Sequence, residues 1–213
     1  MRKILLLPLI LFSLFGFSCS TGTPQVSTPE VVSVYASYAA EPWLSELYEC
    51  APTSPVLSRV DDASVAEIVL RVGEPKILTS FAYQIDVEEI LVVTHRQSPL
   101  NNMTVDAVRA LFSGQGDPSA QVWVYASGED VQETFDRLVM EGRPVISSAN
   151  IAATPEQMAA LLVNEANTVG ILPSHWKTGD SRFIYTIPNV PVLAITRSEP
   201  QGDIKDLIAC LQK

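Results

Sequence analysis

Histidine and cysteine are scarce in this chain of 213 residues, which contains two histidines and three cysteines. A metal centre built from His and Cys ligands needs a higher local density of these residues. The sequence also lacks the short motifs typical of serine hydrolases, zinc peptidases and phosphate-binding loops. We therefore expect no metal, no cofactor and no enzymatic activity. A hydrolase with an unrecognised site is the remaining enzyme hypothesis.

Basic residues are also few. The chain has 14 Lys and Arg against 24 Asp and Glu, which gives a formal net charge of -10. Proteins that bind nucleic acid do so largely by neutralising phosphates with Lys and Arg. The charge balance therefore argues against a nucleic-acid partner.

Only one long, purely apolar run is present, at residues 4–17, directly after a basic pair. It has the length of a signal-peptide core and is short for a membrane span. Ser18 and Cys19 follow at once, and a small residue before a cysteine at this point resembles a bacterial lipobox, which implies lipidation of Cys19. A cleaved secretory signal with an incidental cysteine is the alternative.

The stretch after Cys19 is rich in Thr, Ser, Pro and Gly and cannot bury a core. We interpret residues 1–18 as a signal peptide and residues 19–30 as a flexible tether. One acylated cysteine can hold a folded domain on a membrane without a spanning helix. The expected location is therefore extracytoplasmic, with a lipid anchor in a bacterial membrane.

Two cysteines remain in the folded part, Cys50 and Cys210. In an exported chain they suggest one disulfide, and two separate buried thiols are the alternative. A bridge closing so long a loop should stabilise the fold by roughly 4–5 kcal/mol in the chain-entropy model.

Strand and helix patterns alternate from residue 31 to the end of the chain, which predicts an α/β fold with mostly parallel sheet and helices on both faces. Thr104 and Thr154 have the positions of helix N-caps. Four strands are predicted in pairs along the chain, at residues 77–86, 88–96, 183–187 and 191–197.

Three stretches carry a resemblance to a known family. Residues 98–115 contain a helix that ends in Phe-Ser-Gly, residues 124–135 contain a Ser-Gly turn before a helix with a Phe, and residues 167–177 open a late strand with Gly-Ile. In this order they resemble the type 2 periplasmic-binding-protein fold, and within it the phosphate-binding-protein-like solute receptors of ABC importers.

This resemblance implies a short, two-lobed molecule. Lobe one would contain residues 31–94 and 192–213, and lobe two would contain residues 95–191. A small solute would bind in the cleft between the lobes, a monomer would be expected, and an ABC permease would be the partner. Open α/β sheets also bind ligands at the carboxyl ends of their strands on general grounds.

The resemblance further implies which residues face the ligand. The first ligand loop would contain Ser37 and Tyr38, and a later strand end would contain Asp61 and Asp62. A cation near the hinge would be Arg96, and the Ser-Gly turn would supply Ser127, Gly128 and Glu129. Packing is the alternative role of Tyr38, and a solvated turn is the alternative for the two aspartates.

The Ser-Gly turn departs from the family pattern in two places. Trp123 stands four residues before Ser127, where the phosphate receptors have an arginine, and Glu129 stands where they have a threonine. Because charge-assisted hydrogen bonds are each worth about 1.5–3 kcal/mol, both changes disfavour an oxyanion. A neutral or cationic solute is expected instead, or only weak oxyanion binding through Arg96 and backbone amides. Ser127 would start the helix, and Glu129 would face the cleft or its edge.

A structural interpretation of the same turn competes with this one. Ser127 and Asp130 have the spacing of a capping box, which would satisfy the helix end without a ligand. Two functions therefore stay open. One is an extracytoplasmic solute-binding lipoprotein that delivers a small solute, for example an oxyanion such as phosphate, to an ABC importer. The other is a surface interaction or sensor module on a receptor fold that has lost tight anion binding.

Overall fold

The computed structural model describes residues 30–53 and 55–213. The signal, lipobox and tether predictions therefore lie outside the described residues. Within these residues no helix is both long and apolar enough to span a membrane.

Eight strands form one mixed sheet in the order β2-β1-β3-β8-β4-β7-β5-β6. The strands are β1 (Val31–Ala36), β2 (Val56–Arg59), β3 (Ile68–Val72), β4 (Phe81–Thr94), β5 (Gln121–Val124), β6 (Asn150–Ile151), β7 (Thr168–Pro173) and β8 (Arg182–Thr196). Four pairings are parallel and three are antiparallel.

Five α-helices accompany the sheet: α1 (Glu41–Cys50), α2 (Val105–Phe112), α3 (Asp130–Phe135), α4 (Pro155–Asn164) and α5 (Gly202–Leu211). The predicted N-caps are confirmed, since Thr104 accepts a hydrogen bond from the Ala107 amide and Thr154 from the Gln157 amide. Helix α3 continues directly into a π-helical turn at Asp136–Met140.

The prediction of four separate strands was wrong, because the chain forms only two long ones there. β4 and β8 pair with each other along almost their whole length. Irregular register between Gln84 and Asp86 and between Glu88 and Ile90, together with a positive φ at Asn189, bends the ladder without ending it. The boundaries predicted between these strands therefore fall at bulges in a continuous ladder.

These two strands connect the lobes. The last part of β8 pairs with β3 and with the first part of β4, whereas the last part of β4 pairs with β7. Strands β1, β2 and β3 thus form one lobe and β5, β6 and β7 the other, and we define lobe one and lobe two by these strands. The lobe boundaries predicted at residues 94/95 and 191/192 stay a prediction.

Each lobe has buried apolar residues against the sheet. Trp43 on α1 is almost fully buried in lobe one, and Phe112 on α2 contacts Phe135 on α3 in lobe two, with ring centroids 4.7 Å apart. Cys50 and Cys210 form a disulfide that joins α1 to α5, with their Cα atoms 6.0 Å apart.

Candidate functional site

The lobes meet where β1 and β3 end in lobe one and α3 begins in lobe two. After β1, Ser37 caps a 3-10 turn at Tyr38–Ala40, and its hydroxyl accepts a hydrogen bond from the Ala40 amide. At the end of β3, the backbone amide of Val72 faces the same place. A hydroxyl and a free amide at strand ends are donors that an anion would use.

The anion bound to these donors is a side chain of the protein itself. Asp130, at the start of α3, is only 5% exposed. One oxygen of its carboxylate accepts from the Ser37 hydroxyl at 2.5 Å and from the Val72 amide at 2.8 Å. The other accepts from the Val131 amide at 2.8 Å. Asp130 therefore fastens lobe two onto the strand ends of lobe one.

Burial raises the pKa of Asp130 above its ordinary value of 3.8. Its hydrogen bonds with Ser37 and Val72 and the charge of Arg71 act in the opposite direction and have smaller effects. Desolvation dominates because the carboxylate lacks a directly bonded cation. Arg71 itself pairs with Glu133 at 3.0 Å and donates to the Gly73 carbonyl.

Gly73 and Thr134 bring the two lobes into close contact. Gly73 has a φ of +81°, and a Cβ added there would lie 2.1 Å from the Thr134 hydroxyl oxygen. Beside them, Arg137 of lobe two pairs with Glu74 of lobe one at 3.1 Å. A closed arrangement of the lobes thus depends on a glycine at position 73.

A second contact between the lobes lies at the bulged part of β4. Glu88 is 1% exposed and accepts from the Ser174 hydroxyl at 2.5 Å, and its other oxygen lies 2.8 Å from His175 Nδ1. The His175 ring lies against Trp43, with centroids 4.8 Å apart. Trp176 donates to the Ala39 carbonyl at 3.3 Å. The turn after β7 therefore also holds the lobes together.

Little space remains between the lobes beside Asp130. The room for the centre of a water-sized sphere is about 10 Å³, which is close to what one water requires. The pocket is formed by the turn after β1, the end of β5 and the start of α4, through Tyr38, Tyr125, Glu129, Asp130, Ala153 and Pro155. Phosphate would not fit without movement of these groups.

Charge in this pocket is negative. Burial, followed by the neighbouring charge of Asp130, raises the pKa of Glu129 above 4.5. Burial and the charges of Asp130 and Glu129 raise the pKa of Tyr125 well above 10.0. Both shifts are expected when acidic groups share a poorly hydrated site.

The structure brings only some of the predicted site residues together. Ser37, Tyr38 and Glu129 lie at or beside the pocket. Asp61 and Asp62 are exposed, and Asp62 bonds Ser64 in its own turn.

The remaining predicted residues do not line the pocket. Arg96 is exposed and pairs with Asp180 at 2.9 Å. Ser127 and Gly128 are exposed as well.

The prediction that Ser127 begins the helix was wrong. The N-cap is Glu129, and α3 begins at Asp130. The capping box also fails, because the Asp130 carboxylate bonds Ser37, Val72 and its neighbour Val131 instead of an amide at Ser127. Bonds across the lobes have replaced the local bond.

Sequence reasoning missed Val72 and Tyr125 and gave Asp130 only a local role. A backbone amide leaves no residue-type signal, so Val72 could not be found. The sequence did contain a signal for Asp130, because a second acid directly after Glu129 at a strand-to-helix turn needs a hydrogen-bond partner if it is buried. That partner, Ser37, lies 93 positions away.

Comparison with known proteins supports the fold. No family model matches the chain, and neither does any curated protein. Solved structures do match. One is a protein assigned to phosphate ABC transport as a substrate-binding protein, from Clostridium perfringens, with bound phosphate. It is 13% identical, with 85% of this chain and 93% of that chain covered and a TM-score of 0.72.

Regulatory domains match as well as transport receptors. An ABC-type phosphate transport receptor from Vibrio cholerae has a TM-score of 0.61 at 14% identity, over 85% of this chain and 93% of that chain. The CcmR regulatory domain from Synechocystis, in complex with 2-PG, has a TM-score of 0.64 at 11% identity, over 85% and 95%. The chain thus has the two-lobed type 2 periplasmic-binding-protein-like fold, and the predicted fold class is confirmed.

Proposed function

We propose that the protein is a lipid-anchored, extracytoplasmic receptor or sensor module that has lost binding of free oxyanions. It would act without enzymatic chemistry and without a nucleic-acid partner. The lipid anchor at Cys19 and the extracytoplasmic location rest on the sequence pattern alone. The observation that carries the proposal is the Asp130 carboxylate on the Ser37 hydroxyl and the Val72 amide.

An oxyanion would have to displace this carboxylate to reach those donors. Displacement would leave Asp130 buried without its bonds, and would place a second negative charge next to Glu129. Uncompensated buried charges of this kind cost several kcal/mol. Arg71, whose charge acts on Asp130, is already paired with Glu133. The site therefore disfavours phosphate on both hydrogen-bonding and charge grounds.

Titration calorimetry with phosphate and sulfate tests this proposal. We expect no binding by the unchanged protein at millimolar concentrations. An Asp130→Ser variant frees the Ser37 hydroxyl and the Val72 amide, and should bind phosphate measurably. Asp136→Ser is the matched control, since Asp136 lies further along the same helical segment and makes no bond to Ser37 or Val72.

The outcomes separate two explanations. Micromolar phosphate binding by the unchanged protein would overturn the proposal and restore the importer function. Absence of phosphate binding by both Asp130→Ser and Asp130→Asn would mean that the closed cleft, and not this carboxylate, excludes anions. A folded state of each variant is checked beforehand by its thermal transition.

Delivery of a solute to an ABC permease is the second candidate function. The observation that favours it is Tyr125, whose hydroxyl is buried beside the pocket and has no hydrogen-bond partner within residues 30–53 and 55–213. A buried hydroxyl without a hydrogen-bond partner is what a ligand would satisfy. Transport would then concern a solute other than an oxyanion.

A further inference from the structure

The buried hydroxyl of Tyr125, directly after β5, is the first observation that points to a ligand. Its side chain is 4% exposed and lines the small pocket between the lobes. No residue that the structure describes bonds its hydroxyl. An unmade bond of a buried hydroxyl is costly, so a group that belongs in this pocket should offer a hydrogen-bonding atom to it.

The carboxylate of Glu129 is the second observation, and it concerns the charge of the ligand. It lines the same pocket, it makes no capping bond, and none of the ion pairs found among the described residues includes it. Asp130 follows it in the chain, and the charges of these two carboxylates act on each other and on Tyr125. The group that completes this pocket should therefore carry positive charge.

The ring of Tyr38 is the third observation, and it concerns the mouth of the pocket. It lines the pocket and is 47% exposed, so its ring stands at the mouth. An aromatic ring next to a carboxylate attracts cations through its electron-rich face. The exposed Ala153 lies on the same rim and leaves an opening to solvent.

We propose that this pocket binds the protonated amino group of a small primary amine. The ammonium group donates to the Glu129 carboxylate and to the Tyr125 hydroxyl oxygen, and the rest of the molecule leaves past the Tyr38 ring. The size of the pocket supports a primary amine, because its free space is close to that of one water and an ammonium group is of similar size. A quaternary ammonium group is too large.

This inference rests on the proposed loss of oxyanion binding, since the same carboxylates that repel phosphate attract the amine. Titration calorimetry with n-butylammonium chloride tests it on the full chain. Butyrate, n-butanol and tetramethylammonium serve as comparison solutes of opposite charge, no charge and larger size. Binding is expected for n-butylammonium alone, in the millimolar range or tighter, at low salt.

Two variants show which atoms carry the binding. Glu129→Gln keeps the shape and removes the charge, and should weaken n-butylammonium about tenfold or more. Tyr125→Phe removes one acceptor and should weaken it by about fivefold to tenfold, while leaving the thermal transition unchanged or higher because an unpaired buried hydroxyl is lost. Glu156→Gln is the matched control: Glu156 is exposed and outside the pocket lining, so a change of about twofold or less is expected.

Failure of this inference differs from failure of the proposed function. If neither phosphate nor n-butylammonium binds, the pocket holds water only and the amine proposal is overturned while the loss of oxyanion binding stands. Phosphate binding by the unchanged protein overturns both. Equal binding of n-butylammonium and tetramethylammonium, or equal losses in Glu129→Gln and Glu156→Gln, would show a nonspecific charge effect and would also overturn the amine site.

Discussion

The turns after β1 and β5 are similar in sequence and differ in their surroundings. Each places a serine between a buried strand and a helical segment. Ser37 is 6% exposed and bonds Asp130 from the other lobe. Ser127 is exposed and contributes no helix cap. The difference arises because a buried acid faces the first serine and solvent faces the second.

The comparison teaches that a strand-to-helix turn is a binding site only if its donors are free. In the first turn they are taken by Asp130. In the second turn the helix begins later than Ser127, and the free carboxylate there is Glu129. Both turns suggest an anion site in sequence. In the structure, the turn after β1 joins the two lobes through Asp130, and the turn after β5 contributes Glu129 to an acidic pocket.

The strongest way to break the joint is to separate the lobes at Gly73. Gly73→Ala should destabilise the protein by about 2–5 kcal/mol, because it adds a clash with Thr134 to the cost of a left-handed backbone. Gly142→Ala is the matched control: Gly142 has a φ of +82° with no atom within 4 Å of an added Cβ, and should lose only about 1–2 kcal/mol.

Denaturant unfolding of both variants measures the difference. The double variant Gly73→Ala, Thr134→Ala should recover part of the loss, since the clash is with the Thr134 hydroxyl. If Gly73→Ala and Gly142→Ala lose equal stability, the lobes are not in contact at this point in solution.

The next test replaces each of the two serines by alanine and compares the losses of stability. Ser37→Ala removes a hydrogen bond to a buried carboxylate and should cost about 1.5–3 kcal/mol. Ser127→Ala removes an exposed hydroxyl and should change stability by less than about 0.5 kcal/mol. Chemical denaturation of the two variants is the measurement. Equal losses of unfolding free energy in the two variants would show that the two turns do not differ in the way described.

Much of the fold could be predicted because it depends on local pattern. The buried strands and the N-caps Thr104 and Thr154 follow from neighbouring residues. So do the helical positions of Cys50, the last residue of α1, and Cys210, near the end of α5. The bulges that make β4 and β8 continuous could not be predicted, because a polar residue in a strand indicates a bulge and a turn equally well.

The candidate site was only half predictable for a related reason. Ser37, Tyr38 and Glu129 were predicted because their turns match the ligand loops that the family resemblance implies. The partner of Ser37 could not be found, since the bond to Asp130 joins residues 93 positions apart. Competition between a local cap and a bond across the lobes is decided by burial, which the chain acquires only when both lobes are formed.

The smallest expected effect is the pH dependence of the joint. Because burial raises the folded-state pKa of Asp130 above 3.8, the folded protein retains this proton at pH values where the unfolded chain has lost it. Its contribution to stability is therefore fully present below pH 3.8 and is lost as the pH rises through the folded pKa. One group gives a slope of at most about 1.4 kcal/mol per pH unit.

An exposed acid from the first lobe should behave in the opposite way. Hydrogen bonds from Ser64 lower the pKa of Asp62 below 3.8, so its contribution is present above pH 3.8 and is lost as the pH falls through the folded pKa. Unfolding free energies of the unchanged protein, Asp130→Asn and Asp62→Asn across acidic pH isolate the two terms by subtraction, although Glu129 and Asp136 also titrate with raised pKa values. Differences of the same sign for both variants would show that Asp130 is hydrated and that the lobes stand open, and the proposed joint would then be absent in solution.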